Sequence, residues 1–147
     1  MSESNVCRIV LKIENILIQS RKFSLPGKKE LWNKSPSEDI VLMDVMESPI
    51  ERPKKRQKQF YSGKQKEHTL KTQVIIEQKS KRIICLVHEK GRVHDFKVFK
   101  NSGIKFGELL KVIADKGYQG IAKIHQSSET PIKKKKGKKL TLIRKTI

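Results

Sequence analysis

The run Leu109-Leu110-Lys111-Val112-Ile113-Ala114 leads straight into Asp115, and Gly117 and Gly120 follow on either side of Tyr118. A short apolar run bounded by turn residues predicts a buried strand, with Leu109, Leu110, Val112, Ile113 and Ala114 covered on both faces. Gly117 and Gly120 let the chain turn sharply out of the sheet. The strand therefore ends by presenting a carboxylate, a place where α/β proteins often carry chemistry. Asp-x-Gly after a strand also makes an ordinary turn, so a site here requires further acids.

A second acid stands upstream. Residues 39–47 form the first strong strand pattern, in which Ile40-Val41-Leu42-Met43 leads to Asp44. An aspartate in such a strand is costly to bury as an anion unless it meets a cation, hydrogen-bond donors or a metal. Asp44 is thus either an exposed pleat residue or a functional carboxylate. Between the two strands, Leu70, Thr72, Val74 and Ile76 alternate and residues 82–87 are rich in β-formers, which predicts an antiparallel hairpin turning at residues 78–81. Glu89-Lys90-Gly91-Arg92 makes a second turn. Asp95 then caps a short helix that directs Phe96 and Phe99 at the sheet and ends at Asn101-Ser102-Gly103. Residues 106–110 read equally as a short helix or as the lead-in to the last strand, and Ile121, Ile124 and His125 suggest a further helical turn.

Strand, hairpin, short helix and strand, with acids on the first and last strands, is the order of an α/β, partial ribonuclease H-like fold: a mixed sheet with flanking helices. In that arrangement the first and fourth strands are neighbours, which brings Asp44 and Asp115 together. Two carboxylates on adjacent strands can hold a pair of Mg²⁺ ions roughly 4 Å apart for in-line phosphoryl transfer.

Charge points to the partner. Lys and Arg number 34 against 15 Asp and Glu, a formal net charge of +19 on 147 residues. That balance is far from that of a typical soluble metabolic enzyme and favours a polyanion. The length suits one domain with a small additional element. Positive charge is densest over residues 51–71, a stretch read as a loop. There Arg52, Lys54, Lys55, Arg56, Lys58, Lys64 and Lys71 are interleaved with Tyr61, His68 and Ser, Thr and Gln donors, the composition of a phosphate-contacting surface. Apolar runs are too short to span a membrane, and the first residues lack the basic start and apolar core of a signal peptide, so the expected location is cytoplasmic and nucleoid-associated. Cys7 and Cys85 lack the spacing and partners of a zinc site and read as small core residues.

Before the first strand, Ser2-Glu3-Ser4-Asn5 resembles a helix N-cap, and Val6, Ile9, Val10, Ile13, Ile16 and Leu17 recur at helical spacing, which predicts an amphipathic helix over residues 4–20. Arg8, Lys12 and Asn15 lie off its apolar face. Residues 21–38, broken by Pro26-Gly27 and Pro36, read as a linker that Phe23, Leu25, Leu31 and Trp32 pin to the body. The expected organisation is a helical segment over residues 1–20, either an ordinary solvated helix or the DNA-recognition helix of a helix-turn-helix, a linker over 21–38 and the α/β domain with the two acids over 39–147. Residues 131–140 are a basic low-complexity loop.

Five segments in order carry a resemblance: Ile50-Glu51-Arg52-Pro53-Lys54-Lys55; Tyr61-Ser62-Gly63-Lys64 with His68-Thr69-Leu70-Lys71; His94-Asp95-Phe96 with Phe99-Lys100; Ala114-Asp115-Lys116-Gly117-Tyr118-Gln119-Gly120; and Thr130-Pro131 with the lysines that follow. Over residues 40–140 the chain resembles bacterial insertion-sequence transposases of the "insertion sequence five" family, related to Harbinger elements. The resemblance implies a DDE nuclease and strand transferase dependent on Mg²⁺ or Mn²⁺. Such an enzyme cuts transposon ends with water and joins the 3′-hydroxyl to target DNA. It also implies that Asp44 is the first catalytic, metal-binding acid and that Asp115 is the second, with Asp95 as the alternative.

Residues 2–10 would begin the last helix of a helix-turn-helix. Members of the family supply a third acid, a glutamate, from a helix further along. Here Glu129 is the one acid after Asp115, in the loop-like text Ser127-Ser128-Glu129-Thr130-Pro131. The expectation is therefore an inactive fragment, or one half of an enzyme completed by frameshifting, with an exposed sheet edge. Its partners would be transposon-end and target DNA, and either a second copy or a full-length transposase. The alternative is a non-catalytic basic nucleic-acid-binding protein.

Overall fold

The computed structural model describes residues 2–22, 24–33 and 40–131. The boundary near residue 38, the anchor Phe23 and the lysine-rich tail from residue 132 lie outside the described residues. The chain forms helices α1 (Glu3–Gln19), α2 (Lys28–Asn33), α3 (Gln57–Phe60) and α4 (Asp95–Ser102), and strands β1 (Ile40–Pro49), β2 (Tyr61–Ser62), β3 (Glu67–Glu77), β4 (Ile83–Lys90), β5 (Lys111–Ala114) and β6 (Ser128–Glu129). The sheet runs β2-β3-β1-β5-β6, with β4 also paired to β3. β1, β3 and β4 are antiparallel, while β5 joins β1 in parallel and β6 joins β5 in parallel. This mixed sheet with flanking helices is compatible with the partial ribonuclease H-like fold expected from the order of elements.

Period-2 alternation explains how the sheet divides. Val41 and Met43 on β1, Ile75 on β3, Cys85 on β4, and Val112 and Ala114 on β5 are buried on one face. Side chains at even spacing share a face, so each strand gives that face to the core and the other to the outside. Phe99 of α4 and Leu31 of α2 complete the core with Ile104, Phe106, Leu110, Tyr118 and Ile121. The rings of Phe96, Phe99 and Phe106 stack in succession, with centroids 6.4 and 5.7 Å apart.

Several expectations need correction. β5 is shorter than its apolar text: Leu109 is 65% exposed, and Leu110, though buried, lies in a turn closed by its N–H on the Gly107 carbonyl. Residues 106–110 therefore form neither a helix nor strand. Only Val112 and Ala114 are buried on β5; Ile113 faces the open side and is half-buried. Residues 51–71 are not one loop, because they contain α3 and β2 and run into β3 from Glu67. Residues 128–129 pair with β5 as β6, since the strand edge there offers backbone partners to a segment read from composition as loop.

The helix Lys28–Asn33, within the expected linker, is also built into the body. Leu31 is fully buried, Gly107 N–H donates to its carbonyl, Lys28 Nζ donates to the Ser102 carbonyl and Glu30 pairs with Arg82. Leu25 and Trp32 remain exposed. α1 forms where its periodicity predicts, but none of its residues is buried. No helix among the described residues is long and apolar enough to cross a membrane.

Candidate functional site

The parallel register of β1 and β5 builds the site. Ile40 pairs with Lys111, and the pairing continues to Met43 with Ala114. The next residues on the two strands are Asp44 and Asp115. Alternation turns both away from the core, and both line an open groove of about 430 Å³ with Leu42, Val74, Ile76 and Ile113. Both are exposed. Asp44 Oδ1 accepts the Val45 N–H at 2.8 Å. Asp115 Oδ1 accepts the Gly117 N–H at 2.7 Å and so caps the 3₁₀ turn Lys116–Tyr118. Local hydrogen bonds thus hold each carboxylate, and among the described residues no ion pair neutralises either.

Asp95 is different. It is the first residue of α4 and not its cap; that position belongs to His94, whose carbonyl accepts from the N–H groups of Lys97 and Val98. The Asp95 carboxylate takes Lys71 Nζ on Oδ1 at 2.7 Å, and the same ammonium lies 3.3 Å from Glu47 Oε1. Thr69 Oγ1 donates to Glu47 Oε2 at 3.1 Å. Burial alone would raise the pKa of Glu47, but hydrogen bonding from Ser62, the charge of Lys71 and the Thr69 hydroxyl outweigh it and hold the carboxyl below its ordinary value.

Two features join these groups. A Cβ at Gly117 would lie 2.8 Å from Asp115 Oδ1 and 2.9 Å from Asp95 Oδ2, so a larger residue there would push the ends of these two carboxylates aside. Beneath the acids, Tyr118 is fully buried and donates to Gln73 Oε1 at 3.3 Å. Burial, then the negative charges of Asp95, Asp44 and Asp115, push its phenol well above the ordinary value. All three acids therefore lie within electrostatic reach of one hydroxyl. Gln73 Nε2 is buried with no hydrogen-bond partner among the described residues.

The fold brings Asp44 and Asp115 to one groove, while Asp95 adjoins them and has a counter-ion in Lys71, which it shares with Glu47. A pair of open carboxylates has the hard oxygen donors that Mg²⁺ and Mn²⁺ accept, and Mg²⁺ commonly takes one or two carboxylates together with water and substrate phosphate. Among the described residues no cluster of three or more His, Cys, Asp or Glu side chains is gathered around a metal position. Asp44 and Asp115 thus fit part of a coordination shell. Glu129 does not line the groove, and its exposed carboxylate pairs with Lys111 at 3.0 Å.

Of the basic set, Arg52, Lys54, Lys55, Arg56, Lys58, Tyr61 and Lys64 are exposed, with Arg52 Nε donating to Gln57. His68 is half-buried and packs edge-on against Tyr61 at 5.6 Å. Lys71 breaks the pattern: its ammonium points inward at two carboxylates, so it is a counter-ion and not a surface cation. Glu47, Gln73 and Tyr118 escaped the reading of the sequence. The signal was present in the alternation Thr69, Lys71, Gln73, Ile75, which puts three polar residues on a buried strand face.

Residues 43–145 match the DDE superfamily endonuclease family, and the chain belongs to that family. It is 73% identical over 140 residues to the "Probable transposase for insertion sequence element IS702" of Microchaete diplosiphon, a match that covers 95% of this chain and 51% of that protein. The chain thus spans about half the length of this curated relative. No solved structure matches it.

Proposed function

We propose that the chain serves an insertion-sequence transposase as its DNA-gripping and metal-holding part, with Asp44 and Asp115 as the two acids and Asp95 as a structural neighbour. The observation that carries this is the parallel β1–β5 register, which sets two unneutralised carboxylates side by side over an open groove. A divalent cation bound there supplies Lewis-acid polarisation of a DNA phosphate. The chain's own part is to hold that cation through Asp44 and Asp115. The exposed Arg52, Lys54, Lys55, Arg56, Lys58 and Lys64, directly after β1, neutralise backbone phosphates, so affinity falls steeply with salt. Transposon-end and target DNA are the proposed partners, together with a second copy of the chain or a full-length transposase. Residues 1–20 are the proposed helix-turn-helix remnant. Cleavage and strand transfer require a third carboxylate, and no described residue supplies one to the groove; the chain alone is proposed to bind DNA and metal without turnover.

Titrating Mn²⁺ into the protein and following free Mn²⁺ by electron paramagnetic resonance tests the pair. Weak binding is expected in the wild type and in Asp95→Asn, with about a tenfold or greater loss in Asp44→Ala and in Asp115→Ala. Equal binding in all four proteins would remove the metal site. The net charge of +19 favours a second reading, a basic nucleic-acid-binding protein without metal chemistry. That reading stands if duplex DNA binds with the same affinity and salt dependence while no Mn²⁺ is held.

A further inference from the structure

Two grooves larger than the one at the acids lie around the single tryptophan. One groove of about 660 Å³ is walled by Trp32, Phe106 and Ile124, with Lys105 and Lys123 on its rim and Glu108 as its one carboxylate. A second, of about 470 Å³, opens on the other side of Trp32 between Lys28, Lys29 and Lys105. Trp32 is 57% exposed although the adjacent Leu31 is fully buried. α2 is anchored by Leu31 and by the Lys28 and Glu30 contacts, so Trp32 sits on an anchored helix and not on a free segment. Among the described residues Lys29, Lys105 and Lys123 have no carboxylate partner. His125 Nε2 donates to the Leu110 carbonyl at 2.6 Å. That contact puts this end of the groove at the start of β5, a strand length of roughly 13 Å from Asp115.

An exposed indole between two concavities, flanked on both sides by ammonium groups with no carboxylate partner among the described residues, has the chemistry of a stacking platform for a nucleobase whose flanking phosphates meet lysines. The geometry points to a second DNA contact, in which Trp32 stacks an unpaired base of single-stranded DNA and Lys29, Lys105 and Lys123 hold the phosphates beside it. Charge complementarity commits the groove to a polyanion. The exposed aromatic face selects the unpaired form, because a duplex hides its base faces in the stack. This contact rests on the reading that the chain handles DNA but does not depend on the acid pair.

Because Trp32 is the one tryptophan in the chain, its emission reports this groove alone. A short oligodeoxythymidylate is titrated into the full chain at low salt, and binding is followed in parallel by anisotropy of a labelled copy. The emission should be quenched along the binding curve, while a duplex of equal length should bind and leave the emission unchanged. Trp32→Ala should weaken single-strand binding about fivefold to a hundredfold, and Trp32→Phe should keep most of it. Oligonucleotide binding with no quenching, unchanged affinity in Trp32→Ala, or equal quenching by duplex would each overturn the platform while leaving the proposed function intact. Absence of any DNA binding would overturn both.

Discussion

Asp44 and Glu47 stand three residues apart on one strand and have opposite fates. An odd offset on a pleated strand puts them on opposite faces. Glu47 falls on the core side, directly across from Lys71 in the antiparallel register, and its side chain is 8% exposed. Asp44 falls on the open side across from Val74, with no cation among the described residues to answer it. One strand thus carries a carboxylate that the fold neutralises for itself and another that it leaves for something outside. The contrast also sorts the remaining acids, since Asp95 sides with Glu47 through their shared lysine and Asp115 sides with Asp44 through the shared groove.

The sharpest way to break this contrast is to remove the lysine. In Lys71→Met, Glu47 and Asp95 lose their counter-ion, and a buried charge left uncompensated destabilises by about 3–5 kcal/mol. Urea unfolding should show a loss of that size; a change under about 1 kcal/mol would mean that the cluster is not held by its charges.

A smaller effect should follow from pH. The folded-state pKa of Glu47 is lowered, so the unfolded chain binds more protons in the window between the two values. The contribution of Glu47 is complete above the ordinary value of 4.5 and is lost as pH falls through the lower folded value. As pH falls below about 4.5 the wild type should lose stability more steeply than Glu47→Gln in parallel urea melts. Parallel pH dependences would show that Glu47 is not the titrating group.

The smallest effect is expected at Asp44. Asp44→Asn removes one of two like charges on adjacent strands and no ion pair, so stability should shift by no more than about 0.5 kcal/mol, toward greater stability. A loss comparable to that of Lys71→Met would erase the distinction between the open and the neutralised carboxylate.

Much of this arrangement was legible in the residues. The hairpin of β3 and β4 follows from alternation, α1 and α4 from helical spacing, and the nearness of Asp44 and Asp115 from the order of elements. Composition misleads where the surroundings of a segment decide its structure. Residues 51–71 are rich in lysine, yet β3 begins inside them, because Thr69, Lys71 and Gln73 find partners on a buried face that a solvated loop would not provide. Leu109 is apolar and still lies in the open, since the chain turns at Gly107–Leu110 before it enters the sheet. Of the apolar residues whose pattern pins residues 21–38 to the body, Leu31 does so, while Leu25 stays exposed and Trp32, one step along a short helix, turns outward.

By itself the sequence determined the long strands β1, β3 and β4 and the centre of β5, that two acids would end on neighbouring strands, and that the chain would be strongly basic, because periodicity and charge are local properties of the text. Only the tertiary structure decided which acids stay open. That depends on the face each strand gives to the core and on where Lys71 lands in the register, and both are settled by residues far apart in the chain.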